Sequence, residues 1–466
     1  MIRLFKTPDI KRKLFVFAGD ALIMMSVVPF LILFHTFVVE HGILKNVVRP
    51  LKPYALYVCP FINVLIFYIF ELYDVKGREK LRTFIFLLAA SFLSFCLMFG
   101  LAKVLRINRL TMIYIFIFFG TCIFPLFYWR LICRKILVAS RQLLKQRVLF
   151  IETDSITEDI LQEMKRSDYK VVGLLTQNDS NLGGRKNEPA IIGSWKDLQQ
   201  IVQTKKVNIL VSATNANLSL SVMKNIYKCR LSGIEVYDST YFYEILARKV
   251  TIKPYLENNH VPYLNIHTFA TPLYKNTKRL IDFCGALFLL ITLSPLLVVT
   301  MILVKLTSKG PVSFVQKRLG LQEEPFNIIK FRTMVHDAEK ENGPSWANKN
   351  DNRVTVVGRF LRKTRLDEVP QLINILKGDI SFVGPRPIRR HFADIIEEQM
   401  PFYSLRFTIK PGLTGWAQVN YHYGGTIKGH IEKCQYDLYY IKHASIFLDI
   451  FIILKTFQTI VQRPAY

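Results

Sequence analysis

Four apolar runs dominate the first third of the chain, at about residues 14–38, 54–72, 83–105 and 111–133. Each is roughly 20 residues, the length that carries a helix across a bilayer core. Polar segments rich in Lys and Arg separate them. From residue 146 the pattern changes. RVLFI (147–151) reads as a short buried strand, 155–166 as a helix, YKVVGLLT (169–176) as a second strand and WKDLQQIVQTKK (195–206) as a second helix. VNILVSA (207–213), a helix over 217–231 and IEVYDS (234–239) continue the alternation. Strand and helix in turn at this spacing predict a parallel α/β sheet. Pro254, Pro262 and Pro272 then mark a linker, and a fifth apolar run, KRLIDFCGALFLLITLSPLLVVTMILVK, fills 278–305. The expected units are a four-helix transmembrane bundle (1–145), an α/β domain (146–249), a linker (250–274) and a C-terminal domain (275–466).

Charge orients the runs. Fifteen Lys and Arg lie before the first run, after the second and from the end of the fourth onward, against six in the other two loops. The positive-inside rule puts both ends of the bundle in the cytoplasm. Asp20 is an acid within a run, near its cytoplasmic end, and is read as interfacial or as a helix-pairing group. The fifth run has Lys278 and Arg279 before it and Lys305 and Lys309 after it, so both flanks look cytoplasmic. Ser294-Pro295 lies near its middle, where proline removes a helical hydrogen bond. A re-entrant helix over 279–304, turning at Ser294 and Pro295, fits both facts better than a spanning one.

Composition narrows the function classes. The 466 residues carry 62 Lys plus Arg against 35 Asp plus Glu, a net charge of +27. Aromatics at 13% exclude a disordered chain. Such a charge suits nucleic acid, an anionic membrane surface or a phosphorylated substrate. No zinc-finger spacing, basic zipper or RNA-binding signature is present, so no nucleic-acid partner is expected. The seven cysteines form no C-x-x-C pair and are each read as a small buried hydrophobe. The turn after the first strand, ETDSITED (152–159), has no glycine and four acids. Those carboxylates would repel a pyrophosphate, so a dinucleotide is not expected there.

Three segments of the C-terminal third carry candidate chemistry. GPVSFVQKRLGLQEEPFNIIKFRTM (310–334) supplies Lys330 and Arg332. LDEVPQLINILKGDISFVGPRP (366–387) holds the adjacent acids Asp367 and Glu368 before a helix expected over about 369–377. PGLTGWAQVNY (411–421) follows. Acids at a helix start commonly cap it and suit its dipole. Here Arg359, Arg362, Lys363 and Arg365 precede them and Arg386, Arg389 and Arg390 follow. Arginine grips phosphate oxygens in pairs, and carboxylates beside a phosphate hold Mg²⁺ or attack phosphorus. The glycines of the third segment indicate a tight turn in which Trp416 packs or binds substrate. The tail 446–461 is apolar with Asp449 and Lys455 interspersed, and is read as lying on a membrane.

Taken together, KFRTM, LDEVPQLINILKGDISFVGPRP and PGLTGWAQVNY resemble the bacterial sugar transferase family, the monotopic polyprenyl-phosphate glycosyl-1-phosphate transferases. The resemblance covers about 275–466. The front portion resembles, in architecture, the large subgroup that primes O-antigen, capsule or exopolysaccharide repeats. It implies a Rossmann-like α/β domain and an α/β phosphoglycosyl transferase domain with a re-entrant membrane helix. It further implies transfer of a sugar-1-phosphate from a UDP-sugar to undecaprenyl phosphate, giving UMP, on the cytoplasmic face of the bacterial inner membrane. Asp367 matches the family nucleophile, which would form a covalent phosphosugar intermediate. Glu368 matches its Mg²⁺-binding partner, and Arg386 the arginine expected near phosphate. Lys278, Arg279 and Asp282 match positions opening the re-entrant helix, with Ser294 and Pro295 at its break. Gln322, Glu323 and Glu324 depart from the family, which often has a glycine there. Alternatives are a membrane-anchored NAD-dependent nucleotide-sugar oxidoreductase, which lacks its Gly-rich turn, and a non-enzymatic scaffold, for which the acids would be dispensable. A homodimer is expected from the short-looped bundle.

Overall fold

The computed structural model describes residues 8–40, 53–70, 72–73, 80–105, 107, 109–139, 145–165, 167, 169–177, 189–214, 218–253, 271–307, 310–335, 353–421 and 426–462. Four helices open the chain: α1 (Pro8–Glu40), α2 (Pro53–Ile69), α3 (Lys80–Val104) and α4 (Arg109–Ala139). Stretches of α1, α3 and α4 are long and apolar enough to cross a membrane; α2, at 17 residues, is shorter than the expected run. Pro29, Pro60 and Pro125 lie inside helices, as neighbouring helices in a membrane permit. The bundle buries Met24, Phe67, Leu87 and Phe118 and leaves large apolar side chains outward.

Some polar groups inside the bundle pair across helices. The Arg130 guanidinium donates to both Asp20 oxygens at 2.8 Å, joining α4 to α1. Asp20 is therefore a helix-pairing residue, and Arg130 faces inward instead of serving as a flanking charge. The Ser94 hydroxyl donates to Asn63 Oδ1 at 2.9 Å and links α3 to α2. Five cysteines are buried, but Cys96 and Cys284 are exposed, against the expectation for all seven. Both stand on apolar helix surfaces, where burial requires a lipid or protein neighbour.

The second unit is a five-stranded parallel sheet in the order β3-β2-β1-β4-β5, made of β1 (Gln146–Ile151), β2 (Tyr169–Thr176), β3 (Ile191–Ser194), β4 (Ile209–Ser212) and β5 (Glu235–Asp238). Helices α5 (Thr157–Lys165), α6 (Leu198–Thr204), α7 (Leu220–Leu231) and α8 (Ser239–Ala247) alternate with the strands. Two cores flank the sheet, one around Leu149, Leu210 and Ile226 and one around Phe150, Ile160 and Phe242. This is the expected Rossmann-like layering with one strand more. The edge strand β3 (IIGS) ends in Gly-Ser, which reads as a turn in sequence.

The third unit begins with α9 (Pro272–Thr307), long and apolar enough to cross a membrane. The helix continues through Ser294 and Pro295. Pro295 has no N–H for the Ile291 carbonyl, and the Ser294 hydroxyl donates to that oxygen at 2.8 Å instead. An antiparallel hairpin follows, β6 (Ser313–Leu319) and β7 (Pro325–Phe331), then α10 (Val356–Thr364) and α11 (Gln371–Lys377). Next come β8 (Ser381–Val383), α12 (Arg390–Glu397), β9 (Gly412–Thr414), α13 (Trp416–Asn420), α14 (Ile427–His443) and α15 (Ile446–Gln462). Near its middle α9 packs Ala286 against Leu372, Ile375 and Ile380; near its end Val304 packs against Phe331 and Leu361.

The α/β domain is clamped to the C-terminal one. Lys442 donates to both Glu244 oxygens (3.0 and 2.8 Å), Lys249 pairs with Glu432 (2.9 Å), and Val250 and Ile252 enter the core around Tyr403 and Leu438. The Trp416 indole N–H donates to the Arg248 carbonyl at 2.9 Å. Trp416 is thus a buried tie between domains, beyond the packing role its motif indicates.

Candidate active site

The acids Asp367 and Glu368 sit in a 3-10 turn (Leu366–Glu368) between α10 and α11. Arg365, which ends α10, has φ 56°, a left-handed conformation costly for a residue with a Cβ. The turn reverses the chain there and holds the acids off the helix. Neither acid caps α11, whose N-cap is Pro370 with no side-chain hydrogen bond. The ordinary structural reason for acids in this place is therefore not the one at work.

Three cations converge on Glu368. Lys330 comes from β7 and reaches Oε1 at 3.1 Å. Arg386, from the turn after β8, reaches the same oxygen at 2.6 Å. Arg365 lies 3.7 Å from Oε2. Glu368 is buried, which opposes its charge, but Arg386 and Lys330 hold its carboxyl far below the usual carboxylate range. Burial pushes the Lys330 ammonium down, with the Glu368 charge acting against it. Asp367 is different. Its carboxylate has no hydrogen bond or ion pair among the described residues. Burial first, and then the Glu368 charge, push its pKa up to about 6, against the pull of Lys330, Arg386 and Arg362. One acid is locked in place and its neighbour is left unengaged.

The surrounding motifs set this geometry. The Arg279 guanidinium forks onto the Ile375 and Leu376 carbonyls at 2.6 Å each, neutralising the end of α11. Gly378 closes that helix at φ +92°, and a Cβ there would sit 3.2 Å from the Arg279 guanidinium carbon. Gly378→Ala is expected to cost about 1–2 kcal/mol; an unchanged thermal unfolding midpoint would refute the strain. Asp282 accepts the Phe382 N–H at 3.0 Å, and Lys278 pairs with the largely buried Asp449 at 2.7 Å, which ties α9 to α15. Strands β8 and β9 run parallel, so the GPRP and PGLTGW motifs lie backbone against backbone. Gly384 N–H donates to the Thr414 carbonyl and Gly412 N–H to the Pro385 carbonyl, both at 2.9 Å. A Cβ on Gly412 would stand 2.1 Å from Gly384 N. These glycines permit the approach that aims Arg386.

Of the residues picked out in sequence, Asp367, Glu368, Lys330, Arg365 and Arg386 come together. Lys278, Arg279 and Asp282 support them from α9. Ser294 and Pro295 lie farther along that helix. Arg332 is buried just past β7, and its backbone N–H donates to the Val312 carbonyl at 2.9 Å. Arg362 faces Asp367 electrostatically and donates Nε to Thr333 Oγ1 at 2.9 Å. Arg406 was not visible in sequence. It joins Asp437 at 2.8 Å and the Arg386 carbonyl at 3.0 Å.

The family model described as bacterial sugar transferase matches residues 273–463. The E. coli (strain K12) UDP-glucose:undecaprenyl-phosphate glucose-1-phosphate transferase is 32% identical over 333 residues, 69% of either chain. The chain belongs to the bacterial sugar transferase family. The Aeromonas hydrophila UDP-N-acetylgalactosamine-undecaprenyl-phosphate N-acetylgalactosaminephosphotransferase is 40% identical over 233 residues, 50% of this chain and 54% of that protein. A Klebsiella pneumoniae glucose-1-phosphate transferase is 43% identical over 192 residues, 41% of each. The chain thus spans about half the length of the Aeromonas relative.

A second family model, described as a CoA-binding domain, matches 68–239. The residues at its sheet do not suit the diphosphate of such a cofactor. Asp154 fills the turn after β1: its carboxylate accepts from the Ser239 hydroxyl, the Thr214 N–H (3.2 Å) and the Thr157 hydroxyl (3.0 Å). The domain supplies its own anion where a phosphate would sit.

Proposed function

We propose that this member of the sugar transferase family moves a sugar-1-phosphate from a UDP-sugar to undecaprenyl phosphate and releases UMP, the first membrane step of a surface glycan. The unengaged Asp367 carboxylate beside the clamped Glu368 carries this reading. An Asp367 oxygen attacks the phosphorus next to the sugar, and the bond from that phosphorus to the UMP oxygen breaks. UMP leaves, and the sugar phosphate stays on Asp367 as an acyl phosphate. A phosphate oxygen of the lipid then attacks the same phosphorus, the Asp367 oxygen leaves, and the lipid diphosphate-sugar is complete. A carboxylate mostly ionised at neutral pH needs no base to activate it. Lys330, Arg386 and Arg365 supply fixed positive charge for the phosphates.

Mg²⁺ fits this site. The ion is commonly held by one or two carboxylates with substrate phosphates completing its shell. Asp367 and Glu368 Oε2 would hold it, since the close contacts of Lys330 and Arg386 fall on Oε1. It would neutralise phosphate charge. Chelation with EDTA should abolish UMP release and added Mg²⁺ restore it; full activity in EDTA would remove the metal.

The same reading places the C-terminal domain on the cytoplasmic face, with α9 dipping into the membrane and returning. Arg279 and Asp282 near its start and Val304 near its end touch one body, while Phe288, Ile291, Val298 and Val299 between them are exposed. Labelling engineered cysteines at positions 273 and 306 from either side of sealed vesicles tests this. Access to both from one side supports re-entry, and access from opposite sides refutes it. The reaction itself is tested by UMP release from purified protein with undecaprenyl phosphate, Mg²⁺ and a panel of UDP-sugars. Release with one donor supports it, and no release from folded protein with any donor refutes it for that panel.

A further inference from the structure

Helix α7 of the α/β domain is apolar on two opposite faces. Val222, Ile226 and Cys229 point into the core beside the sheet. At helical spacing Leu220, Met223, Tyr227 and Leu231 fall together on the other face. All four are exposed, Tyr227 by 62% and Leu231 by 89%. Lys224, Lys228 and Arg230 border this stripe and are exposed too, and the helix contains no acid. A helix facing water puts polar residues outward; this one puts apolar residues among cations.

The neighbouring chain ends extend the positive charge. The strands are parallel, so the helices between them run back, and the ends of α6 and α7 lie beside the starts of the strands. Hydrogen bonds join these ends into one corner. The Arg147 guanidinium, from β1, donates to the Lys205 carbonyl at 2.7 Å, and the Arg147 backbone N–H donates to Asn208 Oδ1 at 3.0 Å. The Asn208 carbonyl accepts the Glu235 N–H at 3.0 Å, and the Cys229 carbonyl accepts the Ile234 N–H at 3.1 Å. Gln199 of α6 donates to Asn225 of α7 at 3.2 Å. A basic side chain commonly takes the last carbonyls of a helix, and Arg147 does so for α6. Lys205 and Lys206, just past that helix, are not needed for it. Both are exposed, and neither they nor the three cations of α7 form an ion pair among the described residues. Glu235 is the acid of this corner among the described residues; it is half-buried and accepts the Tyr237 hydroxyl at 2.8 Å. Glu152, Asp154, Asp197 and Asp238 stand at the other ends of the strands.

The chain tethers this corner to a membrane helix. Helix α4 is long and apolar enough to cross a membrane; it ends at Ala139, and β1 starts at Gln146. A chain of that length spans at most about 25 Å, so Arg147 stays close to the end of α4. The clamp to the C-terminal domain leaves the corner open. It uses α8, whose Phe242 packs on the opposite side of the sheet from α6 and α7.

We propose that this corner of the α/β domain rests on an anionic lipid surface, with Lys205, Lys206, Lys228 and Arg230 on the headgroups and Tyr227 and Leu231 in the interface. Each Lys or Arg near such a surface strengthens binding about five-fold, and apolar tips beside cations are what an interfacial helix presents. A second copy of the chain would bring the same cations face to face, which repel. The contact needs α4 to reach a membrane surface, on either side, and is independent of the transfer reaction.

The test uses the full-length protein in nanodiscs of phosphatidylcholine, alone or in equal parts with phosphatidylglycerol. Trace acylation of lysines is followed peptide by peptide by mass spectrometry. Lys205, Lys206, Lys224 and Lys228 should react about ten-fold more slowly in the anionic discs. Lys196, exposed at the opposite end of the sheet, should react equally in both. The protection should fade in about 1 M salt, where charges reach only about 3 Å. Leu231→Glu, at an exposed position, should weaken the protection and leave the melting point unchanged. Equal rates in both lipids would overturn the contact. Protection seen in both lipids, and only in discs holding two chains, would give the face to a second copy and overturn it as well. Full protection in Leu231→Glu would remove the apolar tip from the interface and overturn that part of the assignment.

Discussion

Asp367→Asn should reduce UMP release by roughly 10³-fold or more, because the amide cannot form the acyl phosphate. Its cost in stability should be small. The Asp367 carboxylate has no hydrogen bond or ion pair to lose among the described residues, and its burial works against its charge. Removing that charge should leave the melting point unchanged or raise it, as at sites where charge is kept for chemistry. Two measurements separate the readings. Protein incubated with labelled UDP-sugar and no lipid should retain label, and Asp367→Asn should retain none. UMP release that survives in the variant would mean direct attack by the lipid phosphate and no covalent step.

The same site shows what a sequence can reveal. Asp367, Glu368 and Arg386 lie within one segment, so their meeting is a matter of one turn and one short strand. Lys330 was legible because basic residues so close to a motif have few other uses. Arg332, two residues later, lies just past the end of β7 and is buried. Arg406 was not legible, since an arginine before PGLTGW looks like solvated surface. The packing of α14 against the segment 403–408 brings it to the Arg386 carbonyl.

In the fold, period sufficed for the four opening helices and for four of the five parallel strands. The unseen strand β3 follows a polar, Gly-containing stretch, and its IIGS ends in Gly-Ser, which reads as a turn. The acidic turn after β1 was read as hostile to a phosphate. The structure adds that Asp154 occupies the place and ties β1 to Thr214 and Ser239. The four acids therefore do not share one function: Asp154 is a half-buried hydrogen-bonding residue, while Glu152 accepts the Gln177 N–H at 2.7 Å across the strand ends.

Asp20→Ala should destabilise the bundle by about 3–5 kcal/mol, the usual cost of stranding one partner of a buried ion pair. Asp20 is 0% exposed and Arg130 3%. The guanidinium also lies over the Phe67 ring at 5.0 Å and the Tyr73 ring at 5.9 Å, so it has no route to water. With Asp20 gone, Arg130 must keep its charge among apolar rings or pull α4 out of register against α1. The pair itself is a different matter. Two charges removed from water repay their desolvation only in part, and an apolar pair of similar size can serve as well. The double variant Asp20→Leu with Arg130→Met should therefore recover most of the stability lost in Asp20→Ala. Thermal unfolding in detergent, with the amount of folded protein in membranes, reads both. Full recovery would make the pair a device for helix register, since two apolar residues hold the bundle but specify no partner. Failure to recover, with the single variant as poor as the double, would mean that the charges are needed in their own right. In that case the contact is strong enough to count toward stability, because the rings around Arg130 add to what Asp20 supplies.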